Sequence, residues 1–486
     1  MGKKMITKRE EDYSKWYLDI VDQAGLAENS SVRGAMVIKP HGYAIWENIQ
    51  KGMDGMIKDH DVSNVYFPLL IPKSFLSKEA NHVKGFAKEC AIVTHHRLME
   101  DGKGGVIVDP ESKLEEELII RPTSETVMYD TFSRWITSWR DLPLKINQWV
   151  NIMRWEMRTR PFLRTSEFLW QEGHTAHENK EEAIGEALWA MDMYRRFANE
   201  YLALPVMTGR KSESERFAGA VNTYGVEALM QDGKVLQFAT SHNLGQNFSK
   251  VFNILFTNKE GKQKNVWQTS WGASTRMMGA LIMAHGDDKG LVLPPKVAPF
   301  RVVIVPIYSD DTKEKVLEYV KKLSNDLESV KLDLRENMSP GAKFNEWEKK
   351  GIPVRLELGP KDIAKKGVIL VRRDTGEKEF VKLRKLNDRL VVVLDSIQEN
   401  LFNNAKKRLK EGIHTVSTYD EFKNIISKEK GFVKAHWCGD SKCEEKIKYD
   451  TKATNRCLST EQKNNKGKCV ICGKECNEEW LFGIAY

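Results

Sequence analysis

The stretch Leu144–His174 constrains this chain more than any other. In LKINQWVNIMRWEMR, Val150, Ile152, Arg154, Glu156 and Arg158 fall at every second position, with Trp149, Met153, Trp155 and Met157 on the opposite phase. A period of two is that of an extended strand with two faces. A guanidinium and a carboxylate two residues apart then point the same way. The return segment EFLWQEGH puts Phe168, Trp170, Glu172 and His174 on one face. An acid and an imidazole between aromatics is a poor choice for a packing core. Arg158, Arg160, Pro161 and Arg164 fill the connection. A hairpin with a cationic tip beside an acid-and-aromatic face suits a ligand with a polyphosphate at one end and a small amine at the other. A solvated surface hairpin is the competing account, and the two strands alone leave the accounts level.

Composition narrows the setting. A chain of 486 residues predicts about three domains. A hydrophobic share of 41% supports buried cores. No apolar run approaches the roughly 20 residues of a membrane span. The opening MGKKMITKREEDYSKW has no hydrophobic signal segment, so a cytoplasmic chain with no membrane partner is expected. The net charge of +8 is spread along the length, which permits a polyanionic partner without requiring one. Six of the seven cysteines follow residue 430, Cys90 being the exception. Such clustering in a large cytosolic chain favours a metal over disulfides. Cys438 and Cys443 form one close pair, and Cys469 and Cys472 a CxxC pair. Two close pairs are what a tetrahedral thiolate zinc site needs. The long gap between them leaves Cys457 and Cys476 as alternative ligands, and free structural cysteines as the competing account.

Along the chain, Pro40 opens a helix with Ile45, Ile49, Met53 and Met56 at helical spacing. VSNVYFPLLIP predicts a strand carrying Pro68, hence an edge or a bulge. The polar, Gly-containing segment 95–117 predicts a surface loop or hairpin, with no chemistry assigned. LIIRPTSETVMYDTFSRWITSW reads as a strand end, a turn and a helix with Met128, Phe132, Trp135 and Trp139 as its buried stripe. Thr123 and Ser124 stand at its start with Glu125 just inside, a pattern that helix capping alone explains. A long helix follows, with Ala183, Ala187, Ala190 and Met191 on a narrow packing face. In the strand pair after it, Thr240 and His242 share a phase and Gln237 does not. All three reach one ligand only through a bulge near Ala239; a lone structural histidine is the plainer account of His242. Gln268, Ser270 and Gly272 alternate on one strand face, and a helix begins near Ser274 with Arg276 in its first turn. A cation there is unfavourable by about 0.3–1 kcal/mol, which makes sense if an anion sits beside it. Small Gly279 and Ala280 would let that helix lie close to the sheet. From Phe300 the pattern alternates between β and α: RVVIVPIY, a helix to about Glu328, VKLDLR, a helix, PVRLELG and GVILVRR. It predicts a compact α/β domain with a largely parallel sheet. From about Leu401 a charged helix leads into the cysteine module.

RWE, followed by RPFLRT and FLWQEGH, resembles the second signature motif of class II aminoacyl-tRNA synthetases, in the wording of the prolyl-tRNA synthetases. The Pro40 helix and the proline-bearing strand resemble the first motif, which in the family builds a homodimer interface. EANHVKGFAKECAIVTH resembles the loop over the amino-acid pocket, lined there by Phe86. NVWQTSWGASTRMMGALIMAHG resembles the third motif, whose arginine holds the nucleotide. DLRENMSPGAKFNEWEKKGIPVRLELGPKD resembles the anticodon-binding domain of several class II synthetases. A cysteine-bearing C-terminal domain and a terminal tyrosine, here Tyr486, are similar to the archaeal and eukaryotic prolyl type.

The resemblance implies a multi-domain α/β fold. A class II antiparallel-sheet catalytic domain flanked by helices would span 1–297, an α/β anticodon-binding domain 298–400, and a small α+β zinc-binding domain 401–486. It implies a homodimeric ligase that activates L-proline with ATP and transfers it to the 3′ end of tRNA(Pro). Phe86, Trp170 and His174 would wall the proline ring. Thr123, Glu125, Glu172 and His242 would supply polar contacts, with Ser270 and Gly272 on the pocket floor. Arg154, Glu156, Arg164, Thr165, Gln237, Thr240, Ser274 and Arg276 would hold ATP, with Mg²⁺ near Gln237. Arg154, Glu156 and Arg276 would carry the catalysis, chiefly by positioning and charge neutralisation. Cys438, Cys443, Cys469 and Cys472 would hold Zn²⁺. Bacterial-type prolyl enzymes carry an editing domain between the second and third motifs; between His174 and Gln268 this chain has no room for one. The competing accounts are a class II synthetase for threonine or serine, a catalytically silent RNA-binding or regulatory paralogue, and a zinc-ribbon nucleic-acid binder.

Overall fold

Six antiparallel strands form the floor on which everything else is arranged. In spatial order they are Val206–Arg210, Asn222–Leu229, Val235–Gly245, Trp267–Ser274, Glu167–His177 and Leu144–Met153. The computed structural model describes residues 5–77, 89–460 and 465–486. The hairpin expected from the alternation is there, but its first strand ends at Met153. Arg154 and Glu156 therefore lie on the connection. The strand Ser63–Asn64 adds in parallel at one edge. The other edge continues into the C-terminal part, where Gly209 pairs with Ser459 and Arg210 with Leu458. The result is a single sheet of eleven strands shared between the two ends of the chain.

The helix Lys180–Glu200 covers the back of this sheet. Asn179 caps it by accepting from the Glu182 N–H. Ala183, Ala187 and Ala190 are fully buried, and the Ser241 hydroxyl donates to the Ala187 carbonyl at 2.7 Å. Alanines at this spacing let the helix come close enough for that bond. The helix Pro40–Lys58 buries Ile45, Trp46, Ile49, Met53 and Ile57, whereas Met56 is only half-buried. Each fully buried aliphatic of this size contributes roughly 1.5–3 kcal/mol.

Several local expectations give way. VSNVYFPLLIP is two short strands in two different sheets, Ser63–Asn64 and Leu70–Pro72, because Pro68 has no N–H to continue a ladder. The segment 95–117 is more ordered than a loop. Leu98–Glu100 and Val106–Val108 form a hairpin turned by Gly102 and Gly104 at positive φ. Lys113–Ile120 is then the middle of a three-stranded sheet. The helix after the TSE triplet, Glu125–Trp135, buries Met128, Tyr129 and Phe132, with Ile136 just beyond. Trp135 is exposed, and Trp139 lies in a separate 3₁₀ turn. The Asp141 carboxylate takes the N–H groups of Thr137 and Ser138 at 2.9 Å and draws the chain out of the helix.

The second sheet is mixed rather than largely parallel. Val330–Leu332, Val302–Pro306 and Val354–Leu358 are parallel, while Gly367–Arg372 and Lys378–Lys382 join antiparallel. The tight turn through Gly376 forces the last pair into a hairpin. The helix expected to reach Glu328 stops at Asn325. A 26-residue helix, Leu386–Glu411, packs on this sheet through Leu390, Val393 and Ile397. Its far end sets Leu409 against Leu229, Val235 and Phe432 of the eleven-stranded sheet. The boundary expected at residue 400 falls inside this helix.

Candidate active site

Two hollows meet on the front of the sheet. One, of about 240 Å³, is lined by Thr123, Glu125, Trp170, Glu172, His174, Gln237, Thr240, His242, Ser270 and Gly272 among others. The other, of about 430 Å³, runs along the hairpin past Glu156, Arg164 and Thr165. Arg154, Phe168, Ser274 and Arg276 line both. Every described candidate for an amine and a nucleotide therefore faces one of two connected compartments; Phe86 lies outside the described residues.

The strand register explains the floor. Across the return strand, the Trp267–Ser274 strand and the Val235–Gly245 strand, Glu172, Gly272 and Thr240 lie in one row, and His174, Ser270 and His242 in the next. A side chain at Gly272 would project from the middle of the floor, 3.1 Å from the Gln171 carbonyl. Gln237 enters the compartment through a bulge. Glu227 pairs with Gln237 and Val226 with Ala239, leaving Phe238 as the extra residue. One additional residue restores Gln237 to the phase of Thr240 and His242, as the alternation required.

The amine compartment is acidic and tightly wired. Glu172, 2% exposed, accepts from the Ser124 hydroxyl at 2.5 Å and from Gln148 Nε2 at 2.6 Å, and its other oxygen lies 3.0 Å from His174 Nε2. The Thr123 hydroxyl donates to the Glu125 carboxylate. Ser124 occupies the helix cap position but makes no capping bond through its side chain. Thr123 and Glu125 therefore line the pocket, and the Ser124 hydroxyl is engaged by Glu172 behind it instead of closing the helix. Burial works against a charge on His174, yet Glu172 and Glu125 raise its pKa above the ordinary imidazole value. Burial pushes His242 down to about 4, so it is neutral near pH 7; Thr223 Oγ1 lies 3.0 Å from its Nδ1.

The junction is cationic. The Arg154 guanidinium lies 5.4 Å from the Trp170 ring centre and 5.6 Å from that of Phe168, with Nε donating to the Pro122 carbonyl at 2.9 Å. Arg276 donates to the carbonyls of Leu163 and Gln237 at 3.2 Å each. Burial, then Arg164 and Arg154, bring its pKa down to about 10. Arg164, half-exposed and 3.8 Å from Glu156, adds a third guanidinium, so the cleft favours an anion. Of the other hairpin cations, Arg160 does not serve this cleft. It is packed between the rings of Tyr17 and Tyr486, at 4.7 and 5.6 Å. Gly279 also meets the hairpin tip and not the sheet: a Cβ there would fall 2.3 Å from Leu163.

Sequence reading missed Glu215, Arg216 and Phe217, which line the amine compartment from a loop above it. Phe217 stacks on His242 with ring centres 4.4 Å apart. The one aromatic in a polar stretch, SESERFAGA, was the available signal.

At the other end of the sheet, the sulfurs of Cys438, Cys443, Cys469 and Cys472 all lie within 4.8 Å of one another. Cys438 is 3.8 Å from Cys443 and 3.7 Å from Cys472. A tetrahedron with metal–sulfur bonds of about 2.3 Å has edges of about 3.8 Å, so the donor set fits. Cys457 is instead packed with Leu229 and Val235, and Cys476 is outside the four-sulfur group.

Comparison with known proteins decides the family. A proline–tRNA ligase of Porphyromonas gingivalis is 55% identical over 489 residues, covering 99% of each chain. The chain belongs to the prolyl-tRNA synthetases. Named relatives from Bacteroides fragilis, at 54% over 494 residues and 99% of each chain, and Christiangramia forsetii, at 52% over 493 residues and the whole of each chain, agree. Within the chain, residues 108–285 match the tRNA synthetase class II core domain (G, H, P, S and T), 301–392 the anticodon binding domain, and 419–486 the prolyl-tRNA synthetase C-terminal domain. The cationic hairpin and Arg276 of this prolyl-tRNA synthetase both fall within the residues that match the class II core domain.

Proposed function

We propose that this chain is a proline–tRNA ligase that joins L-proline to ATP and passes the prolyl group to the 3′ end of tRNA(Pro). The single observation that carries the residue assignment is that Arg154, of the two arginines lining both compartments, is the one that Glu125 and Glu172 act on. Prolinium carries two N–H donors on a cation, which Glu125, Thr123 and Glu172 are placed to accept. Trp170, His174 and neutral His242 wall the ring, above Ser270 and Gly272; Phe86 completes the wall in this reading. The carboxylate then points to Arg154.

Joining a carboxylate to a phosphate brings two anions together. At about 4 Å and an effective dielectric near 20 the repulsion is about 4 kcal/mol. Arg154 offsets it at the attacking oxygen and α-phosphate, Arg164 and Arg276 along the phosphate chain, and Glu156, Thr165 and Ser274 orient the nucleoside. The carboxylate oxygen attacks the α-phosphorus and pyrophosphate leaves; no proton moves, so positioning and charge dominate. Gln237 and Thr240 are the residues that would hold Mg²⁺, which would supply further charge neutralisation for the phosphates.

The four-cysteine site fits a structural Zn²⁺. We assign residues 1–297 to catalysis, 298–400 to anticodon binding and 401–486 to the metal module, the last two bridged by the Leu386–Glu411 helix. The chain acts as a cytoplasmic homodimer in this reading; among the described residues no helix is long and apolar enough to cross a membrane. Residues 178–266 supply the back helix, three strands of the large sheet, a short helix Asn247–Val251 and the small hairpin 255–265, which supports activity without a built-in editing domain. Alanine, lacking methylenes worth about 1–3 kcal/mol, leaks into such a pocket. Amino-acid-dependent ATP–pyrophosphate exchange tests the assignment: proline supports it and threonine or serine does not.

A further inference from the structure

The loop between Lys211 and Val221 joins two neighbouring strands of the catalytic sheet and reaches over the amine compartment. It is tied to the pocket twice. The Phe217 ring stacks on His242, and the Phe217 N–H donates to Thr223 Oγ1 at 3.0 Å. That same oxygen lies 3.0 Å from His242 Nδ1. One face and one ring nitrogen of His242 are thus set by where this loop sits.

The root of the loop is held from the far end of the chain. The Ser212 hydroxyl donates to Glu444 Oε1 at 2.8 Å, across 232 residues of sequence. Both side chains are buried, at 2% and 8% exposure. Beside them Lys211 pairs with Glu227, whose second oxygen accepts from Arg456 Nε and Nη2 at 3.1 and 2.8 Å. Burial opposes ionisation of Glu227, but Arg456 and Lys211 hold its carboxyl below the ordinary range. Glu444 follows Cys443 in the first turn of the helix Ser441–Thr451, so the thiolate cluster and the grip on the loop share one helical turn. A buried acceptor left without its donor costs its desolvation, so this hydrogen bond fixes where the loop root sits.

We infer that Glu444 is a positioning residue for the amino-acid pocket: the C-terminal module clamps the root of the 211–221 loop and thereby places Phe217 against His242. The inference rests on the reading that this compartment takes proline. Ser212→Ala and Glu444→Ala each break the clamp from one side, and neither residue lines the cavity. Each is expected to raise KM for proline in ATP–pyrophosphate exchange by about three- to thirtyfold, with kcat and KM for ATP held within about twofold. The double variant should be no worse than the worse single one. Glu444→Gln, which keeps an acceptor oxygen, should restore most of the proline affinity. Independently of activity, amides 213–221 should exchange hydrogen faster in both Ala variants. An unchanged proline KM with unchanged hydrogen exchange in Ser212→Ala overturns the clamp, as does an equal rise in KM for ATP. A wild-type protein with no proline-dependent exchange overturns the proline reading instead, and the hydrogen-exchange comparison then decides the clamp on its own.

Discussion

Glu172 shows how a single residue acquires its role. Its side chain is buried and meets Ser124, Gln148 and His174. Three partners lock its rotamer, and its charge is opposite in sign to prolinium. Glu172→Gln keeps the shape and removes the charge. It should raise KM for proline by about 10- to 100-fold, the equivalent of a charge-assisted hydrogen bond, and leave KM for ATP unchanged; steady-state exchange kinetics read both. The buried histidines make a second residue-level claim. His41, His177, His242 and His285 are each pushed down to about 4, chiefly by burial. Their folded pKa values lie below the unfolded value near 6.5. Between about pH 6.5 and 4 the unfolded chain binds protons that the folded chain refuses, so stability falls as the pH falls. His174, shifted upward, works in the opposite sense but is one group against four. Urea midpoints should therefore drop from pH 7 to pH 5.

Elements record which parts of this were readable beforehand. The hairpin was legible because its period-2 alternation carries charge and aromatic residues that no core would select. The bulge was legible because Gln237 and His242 cannot share a phase without it, and Phe238 proves to be the residue that resolves the conflict. Element ends were not legible. The helix from Glu125 stops at Trp135 because Asp141 captures two N–H groups several residues away. The Phe217 loop had no period at all. Gly173 was silent for a different reason: its need is set by Trp271, on a strand nearly a hundred residues later. A Cβ at Gly173 would lie 2.2–2.4 Å from the Trp271 ring, itself packed against Trp189 and Tyr194. Gly173→Ala should destabilise the protein by about 1–3 kcal/mol through overpacking, read as a lower urea midpoint.

At the scale of the whole molecule, the far edge of the catalytic sheet is completed by the C-terminal module, through Gly209–Ser459, Arg210–Leu458 and the Glu227–Arg456 pair. Composition announced the cysteine cluster but not this union, since strand pairing between distant segments leaves no local pattern. A thiolate site at this place bears on more than its own module. Chelation of the metal should lower the thermal midpoint of the whole chain in one transition, and Zn²⁺ should restore it. Separate melting of a C-terminal unit, with the rest unmoved, would show that the shared sheet does not couple them.

The central claim is that the Arg154 guanidinium joins an acidic amine pocket to a nucleotide cleft. Its most direct test is proline-dependent ATP–pyrophosphate exchange by Arg154→Ala beside the unaltered protein, with circular dichroism confirming that the fold is retained. Loss of at least about 10²–10³-fold in exchange rate is predicted; exchange at the unaltered rate would contradict the account.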